Sequence, residues 1–151
     1  AETEENVNRI AGLKDGLEGS GCEISWEYNY ARGNQNTSEI IASKKQVDYL
    51  VILDNWALEE VGEAAEGNKY HGAKIYGVGS SEKTIVLLDN QNIECLVVPD
   101  DYETGYMSMN EIAKKLRHSF YKMNSCETEV RIINKEDLYS KDLERFLYSY
   151  E

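Results

Sequence analysis

The chain reads as an α/β domain, a three-layer sandwich on a mainly parallel sheet, and three observations carry that reading. Short apolar runs at Tyr49-Leu50-Val51-Ile52-Leu53, Ala73 to Val78 and Glu94 to Val98 have the length and β-branched content of buried strands. Each runs into a capping or glycine-rich segment and then a helical pattern. Strands alternating with helices predict a parallel sheet with helices on both faces.

Residues 2 to 19 place Val7, Ile10, Leu13 and Leu17 at helical spacing and stop near Gly19-Ser20-Gly21. Glu23 to Tyr28 alternates Ile24, Trp26 and Tyr28 with polar residues, the pattern of a strand exposed on one face. A polar loop from Asn29 to Asn36 precedes a short helix, Thr37 to Lys45, with Ile40 and Ile41 on its inner side. The three strand-helix units follow, with turns at Gly67-Asn68 and Asp89-Asn90, and Asn90 is suited to a left-handed cap. The long amphipathic helix from Asp101 to Ser119 is expected to bury Tyr106, Met109, Ile112, Ala113, Leu116 and Phe120. Asp100 and Glu103 have capping-box spacing at its start. Glu129 to Asn134 reads as a last strand. Residues 1–134 form one lobe on this reading, and 135–151 a charged, aromatic extension carrying Leu138, Tyr139, Leu143, Phe146, Leu147 and Tyr148.

At 151 residues, with 41% hydrophobic and 29% charged content, the chain has enough material for one real core. It contains no apolar run long enough to span a bilayer. The opening Ala1-Glu2-Thr3-Glu4-Glu5-Asn6 is helix-like and carries no leader pattern, which leaves the compartment of the parent protein open. The net charge of −12, from 28 acidic and 16 basic residues, repels phosphate backbones and anionic membranes. No nucleic-acid partner is therefore expected for this domain. Cys22, Cys95 and Cys126 are far apart and odd in number, so inert thiols are the plain reading, with room for one disulfide at most. With only His71 and His118 besides, no metal site or cofactor is expected.

In parallel sheets, ligands bind outside the carboxyl ends of the strands. The segments there are Asn29 to Asn36, Asp54 to Trp56, Gly79 to Glu82 and Pro99 to Tyr102.

The order of these segments resembles the second lobe of type I periplasmic-binding-protein-like proteins, which include ribose-type sugar receptors and LacI-like regulators. Arg9-Ile10-Ala11-Gly12-Leu13 is similar to that family's R-x-x-G-hydrophobic pattern, and Asp54-Asn55-Trp56-Ala57-Leu58 to its N-D-x-x-A-L segment. Ile75-Tyr76-Gly77-Val78-Gly79-Ser80 matches its V-x-G-F-D, and Leu96 through Gly105 its final V-x-Q…G. The resemblance, over roughly residues 6 to 134, implies a two-lobed receptor that closes on a small solute about a hinge. This chain would be one jaw, and the other lobe its partner. Lobes of the family begin with a central strand, whereas this chain begins at a helix. Either that strand lies upstream or another segment takes its place, and the second case invites homodimerisation.

The resemblance also implies polar groups that are replaced here. An Arg, Asn, Asp and Gln that commonly hold sugar hydroxyls in the family fall at Val7, Leu53, Gly79 and Pro99. A slip of one residue would bring Asn6, Asp54, Ser80 or Asp100 near. Each candidate has a plainer reading beside the functional one. Asp54 suits a helix N-cap as well as a ligand contact. Trp56 follows a strand end and can stack on a sugar face, whereas Trp26 reads as packing. Arg32 can form bidentate bonds to an acidic or hydroxylated ligand, or lie solvated. Gly77-Val78-Gly79-Ser80-Ser81 can present amides to an anion, or be a turn and cap. Tyr28 and Tyr30 read as cover for the sheet edge, and the sequon Asn36-Thr37-Ser38 carries little information. The candidate ligand-binding set is Arg32, Asp54, Trp56, Gly79, Ser80 and Asp100.

Enzyme patterns are missing: there is no G-x-S-x-G elbow, Walker loop or H-E-x-x-H. Asp54 with Asp100 or Asp101 would be the only carboxylate pair at the strand ends. The expected function is therefore a non-enzymatic binding lobe for a small solute, a sugar or related polyol, neutral or anionic. Its setting would be an extracytoplasmic, membrane-anchored or secreted receptor of an ABC transporter or sensor. The alternatives are the effector-sensing domain of a cytoplasmic LacI-like regulator and a degenerate lobe kept for protein contacts.

Overall fold

A computed structural model describes residues 4–33 and 36–147. Helix α1 (Glu4–Leu17) and the short α2 (Thr37–Ala42) precede a sheet of four strands: β1 (Tyr49–Ile52), β2 (Lys74–Val78), β3 (Cys95–Pro99) and β4 (Val130–Ile133). Helix α3 (Asn55–Glu63) links β1 to β2, α4 (Glu82–Asp89) links β2 to β3, and α5 (Asp101–Arg117) follows β3. The strand order is β1-β2-β3-β4, with the first two pairings parallel and β3-β4 antiparallel. The expected α/β architecture on a mainly parallel sheet is what forms.

The core lies on one face of this sheet. Leu50, Ile75, Leu96, Val98 and Ile133 point to it, and α3 and α4 seal it with Leu58, Val61, Ile85, Leu87 and Leu88. Gly77 lies under α3, where a Cβ would stand 2.5 Å from Leu58 Cδ1 and 2.9 Å from the Ile52 carbonyl, so only a glycine lets the helix come this close. After β4, a 310 segment (Lys135–Tyr139) and α6 (Glu144–Leu147) bring Leu138, Phe146 and Leu147 into the same core. Tyr148 lies outside the described residues. On the other face, Tyr49, Val51, Val130 and Ile132 are exposed.

Three local expectations need correcting. Glu23 to Tyr28 is not a strand. A strand is stabilised by a ladder to a neighbour, and β1 ends the sheet on that side with no strand beside it among the described residues. The segment is tethered instead by Trp26, whose indole N–H donates to the Lys45 carbonyl at 2.9 Å. Asn90 caps α4 in a right-handed conformation at φ −75°, and the left-handed residue is its successor Gln91, at φ 61°. The largest difference is α5. Tyr106, Met109, Ile112, Leu116 and Phe120 are exposed, Ala113 is half-buried, and the buried residue of the helix is Glu111.

The physical reason lies in the segment after α5. The Glu111 carboxylate accepts from the Tyr121 hydroxyl at 3.0 Å, the Asn124 backbone N–H at 2.8 Å and the Lys114 ammonium at 2.7 Å. Bonded donors favour the ionised form, and these hold the Glu111 carboxyl down to about 2. The polar side of the helix is thereby turned inward, leaving the apolar side to face out. The three cysteines are free, and burial pushes the Cys95 thiol up.

Candidate functional site at the carboxyl ends of the strands

Parallel strands deliver their following turns to one edge, and here those turns are tied to one another. Asn55, the first residue of α3, accepts through Oδ1 from the backbone N–H of Ser80 at 3.1 Å and of Ser81 at 3.4 Å. Its Nδ2 donates to Glu59 Oε1 at 2.9 Å, and Ser81 Oγ donates to the same oxygen at 2.7 Å. Ser80 Oγ donates to Asp101 Oδ2 at 2.8 Å, joining the turn after β2 to the start of α5. A continuous set of hydrogen bonds therefore crosses the ends of β1, β2 and β3. Gly79 makes the tie possible, because a Cβ there would lie 2.7 Å from Asn55 Oδ1.

The six candidate residues divide into two groups. Asp54 is the N-cap of α3, accepting from the Ala57 N–H at 3.0 Å, and Asp100 is the N-cap of α5, accepting from the Glu103 N–H at 2.8 Å. Asp100 is 2% exposed. These two carboxylates serve the chain's own amides, as the plainer reading of Asp54 held. Arg32, Trp56 and Ser80 stand at the surface of the edge. The Arg32 guanidinium lies 3.9 Å from the centre of the Trp56 indole, a cation–π arrangement, and Trp56 is 48% exposed. Tyr30 lies beside them, its hydroxyl pKa raised by burial and then by the nearby Glu60 and Asp54 carboxylates. The structure thus brings Arg32 to Trp56, and Ser80 to Gly79 and the start of α5.

Three residues outside the candidate set also belong to this edge. Arg9, on α1, donates through Nη1 to the carbonyl of Leu53 at 2.8 Å, reaching the end of β1 from far away in sequence. Its place at the head of the R-x-x-G pattern was the signal that could have found it, although the family's sugar-holding position was assigned to Val7. Asn55 and Asp101 were each one residue beyond a candidate, hidden because spacing does not say which of two adjacent polar residues faces the edge. Electrostatically the edge is acidic, with Glu59 and Asp101 around the Ser80 and Ser81 amides. Those amides already have an acceptor in Asn55, so the turn is built as an internal tie rather than an empty anion cradle. A broad open depression of about 320 Å³ lies elsewhere, at the amino ends of β2 and β3 among Tyr70, Lys74, Asn92 and Glu94.

Comparison with known proteins places this geometry in a family. Residues 1–119 match the family model described as a periplasmic binding protein domain. The chain belongs to the periplasmic binding protein family. No curated protein matches its sequence. Among solved structures it is similar to a carbohydrate transporter solute binding protein from Agrobacterium radiobacter in complex with D-arabinose. The TM-score there is 0.78 at 21% identity, over 94% of this chain and 50% of that one. A glucose-galactose binding protein from Geobacillus stearothermophilus gives 0.76 at 21% identity, over 89% and 50%. An ABC transporter solute binding protein from Agrobacterium vitis with bound D-fucose gives 0.78 at 15% identity, over 95% and 51%. The chain therefore spans about half the length of these proteins.

Proposed function

We propose that this chain is one jaw of a two-lobed, non-enzymatic sugar receptor, holding its ligand at the carboxyl edge of the sheet against a second lobe. The observation that carries the reading is the edge itself, in a chain of this family. A half-exposed indole with a guanidinium over it stands beside polar groups that the protein holds in place, Asn55, Ser80 and Asp101. Sugars present an apolar face and a rim of hydroxyls, and such a site offers stacking for one and hydrogen bonds for the other. The acidic surroundings and the occupied Ser80 and Ser81 amides favour a neutral sugar over an anionic one. The similar structures carry D-arabinose and D-fucose, and a pentose or hexose is the corresponding class here. The setting is an extracytoplasmic receptor serving an ABC transporter.

A single jaw presents an open edge, so the test is made on the full-length protein. Thermal shift and calorimetric titration with D-arabinose, D-fucose, D-galactose and D-glucose should show saturable binding to at least one. A ligand at a hundred times its dissociation constant adds about 2.7 kcal/mol of stability, a shift of several degrees. Trp56→Ala should weaken that binding by about tenfold or more, as expected for loss of a stacked aromatic. If none of these sugars binds, the receptor reading fails and the lobe is left with a protein-contact role. If one binds and Trp56→Ala leaves its affinity unchanged, the ligand sits elsewhere.

A further inference from the structure

The polar side of α5 is anchored inward through Glu111, and its apolar side turns outward with Tyr102, Tyr106, Met109, Ile112 and Leu116 exposed around a half-buried Ala113, while Phe120 stands exposed just past the helix end. Tyr106 is 62% exposed, Leu116 is 82% exposed, and Tyr102 stacks on Tyr106 with ring centres 6.5 Å apart. At 1.5 Å per residue, the stripe from Tyr102 to Leu116 runs for about 21 Å. Aromatic side chains bury about 150–250 Å² each, so Tyr102 and Tyr106 with Met109 and Leu116 offer several hundred Å² toward the roughly 800 Å² per partner of a specific interface. Contiguous exposed apolar surface of this kind marks a docking face.

The charges along the helix say what docks. Its first turn is acidic, with Asp101 and Glu103, and its last turn is basic, with Lys114, Lys115 and Arg117. Glu103 and Arg117 make no ion pair among the described residues and stand symmetrically about Asn110. At 100° per residue both flank the stripe on the same side. In an antiparallel pair of identical helices, same-side flanks meet, and the acidic end of each lies against the basic end of the other. With the twofold axis near Met109, Tyr106 faces Ala113, Tyr102 faces Leu116 and Glu103 faces Arg117. Self-complementarity of this kind is what a twofold interface requires. The antiparallel helix dipoles add to it.

We propose that α5 is the dimerisation face of this chain, two copies packing antiparallel about an axis near Met109. The inference does not rest on the sugar-binding reading, and its test uses no ligand. Sedimentation equilibrium on the full-length protein across the micromolar range should approach twice its monomer mass. Met109→Glu and Leu116→Glu should each give monomers with unchanged far-UV circular dichroism, since both side chains lie at the surface. Glu103→Lys should raise the dissociation constant by roughly tenfold, because the symmetry disrupts the pair twice and sets like charges together. Glu103→Lys with Arg117→Glu should restore it. A chain that stays monomeric throughout overturns the proposal, as does a dimer indifferent to the stripe variants. A dimer that the double charge exchange fails to restore overturns the antiparallel register. A stripe that becomes protected from labelling only within a longer monomeric chain belongs to an intramolecular partner, and also overturns it.

Discussion

Individual polar side chains decide more in this lobe than their exposure suggests. Asn55 holds two backbone amides of another loop, and Glu111 collects two donors from the segment after its own helix and a third from Lys114 one turn on. The Glu111 carboxyl ionises near 2 in the folded chain, against an ordinary 4.5. A lowered folded value means that its stabilisation is complete above about pH 4.5 and is lost as pH falls toward 2. Glu111→Gln should therefore unfold less steeply than the wild type across that window, the two stabilities converging at its acid end. Parallel acid titrations of the two proteins would show that the carboxylate is not held in this way. Tyr70 is the converse case, because its buried hydroxyl has no partner among the described residues. An unpaired buried hydroxyl costs free energy, so Tyr70→Phe should be neutral or stabilising by about 1 kcal/mol in urea denaturation. A loss of more than that would reveal a partner for the hydroxyl.

Elements here are positioned by their ends and by close approaches. Helix α3 begins at Asp54, whose carboxylate caps it, and lies against β2 only because Gly77 has no side chain. Asp54→Ala should cost about 1 kcal/mol, the usual value of a lost N-cap. Gly77→Ala should cost more, about 1–3 kcal/mol, since Leu58 is fully buried and cannot yield without disturbing the core. Denaturation midpoints in the reverse order would mean that the cap, rather than the close approach, sets this helix. Strands β1 to β3 were legible because their apolar runs are bounded by caps and glycines. The segment Glu23 to Tyr28 has the alternation of a strand as well, yet alternation cannot supply the neighbour whose backbone completes a ladder.

At the scale of the whole molecule, the parallel arrangement collects the turns after β1, β2 and β3 at one edge, where Arg32 lies over Trp56 and Ser80 is tied to Asn55 and Asp101. On the receptor reading proposed above, the second wall of the site comes from another lobe, so sugar affinity is to be measured on the full-length protein. Arg32→Ala separates two contributions at that level. If Arg32 only rests on Trp56, its loss should change sugar affinity less than Trp56→Ala does in the same calorimetric titration. An equal loss would place the guanidinium on the ligand itself.

The sequence alone determined the alternation of strands and helices and the edge to which their turns are delivered, and it put Trp56 and Arg32 among the candidates there, which the structure brings into contact. These are local matters, settled by apolar periodicity, capping residues and chain direction. Tertiary structure decided which way each ambiguous side chain turned. Arg9 reaches the Leu53 carbonyl, Asn55 rather than Asp54 ties the loops, and α5 turns its apolar stripe outward because Glu111 finds its donors beyond the helix. Each outcome depends on partners distant along the chain. Amphipathic spacing fixes that a helix has two faces, but only the donors and acceptors assembled around it select the face that is buried.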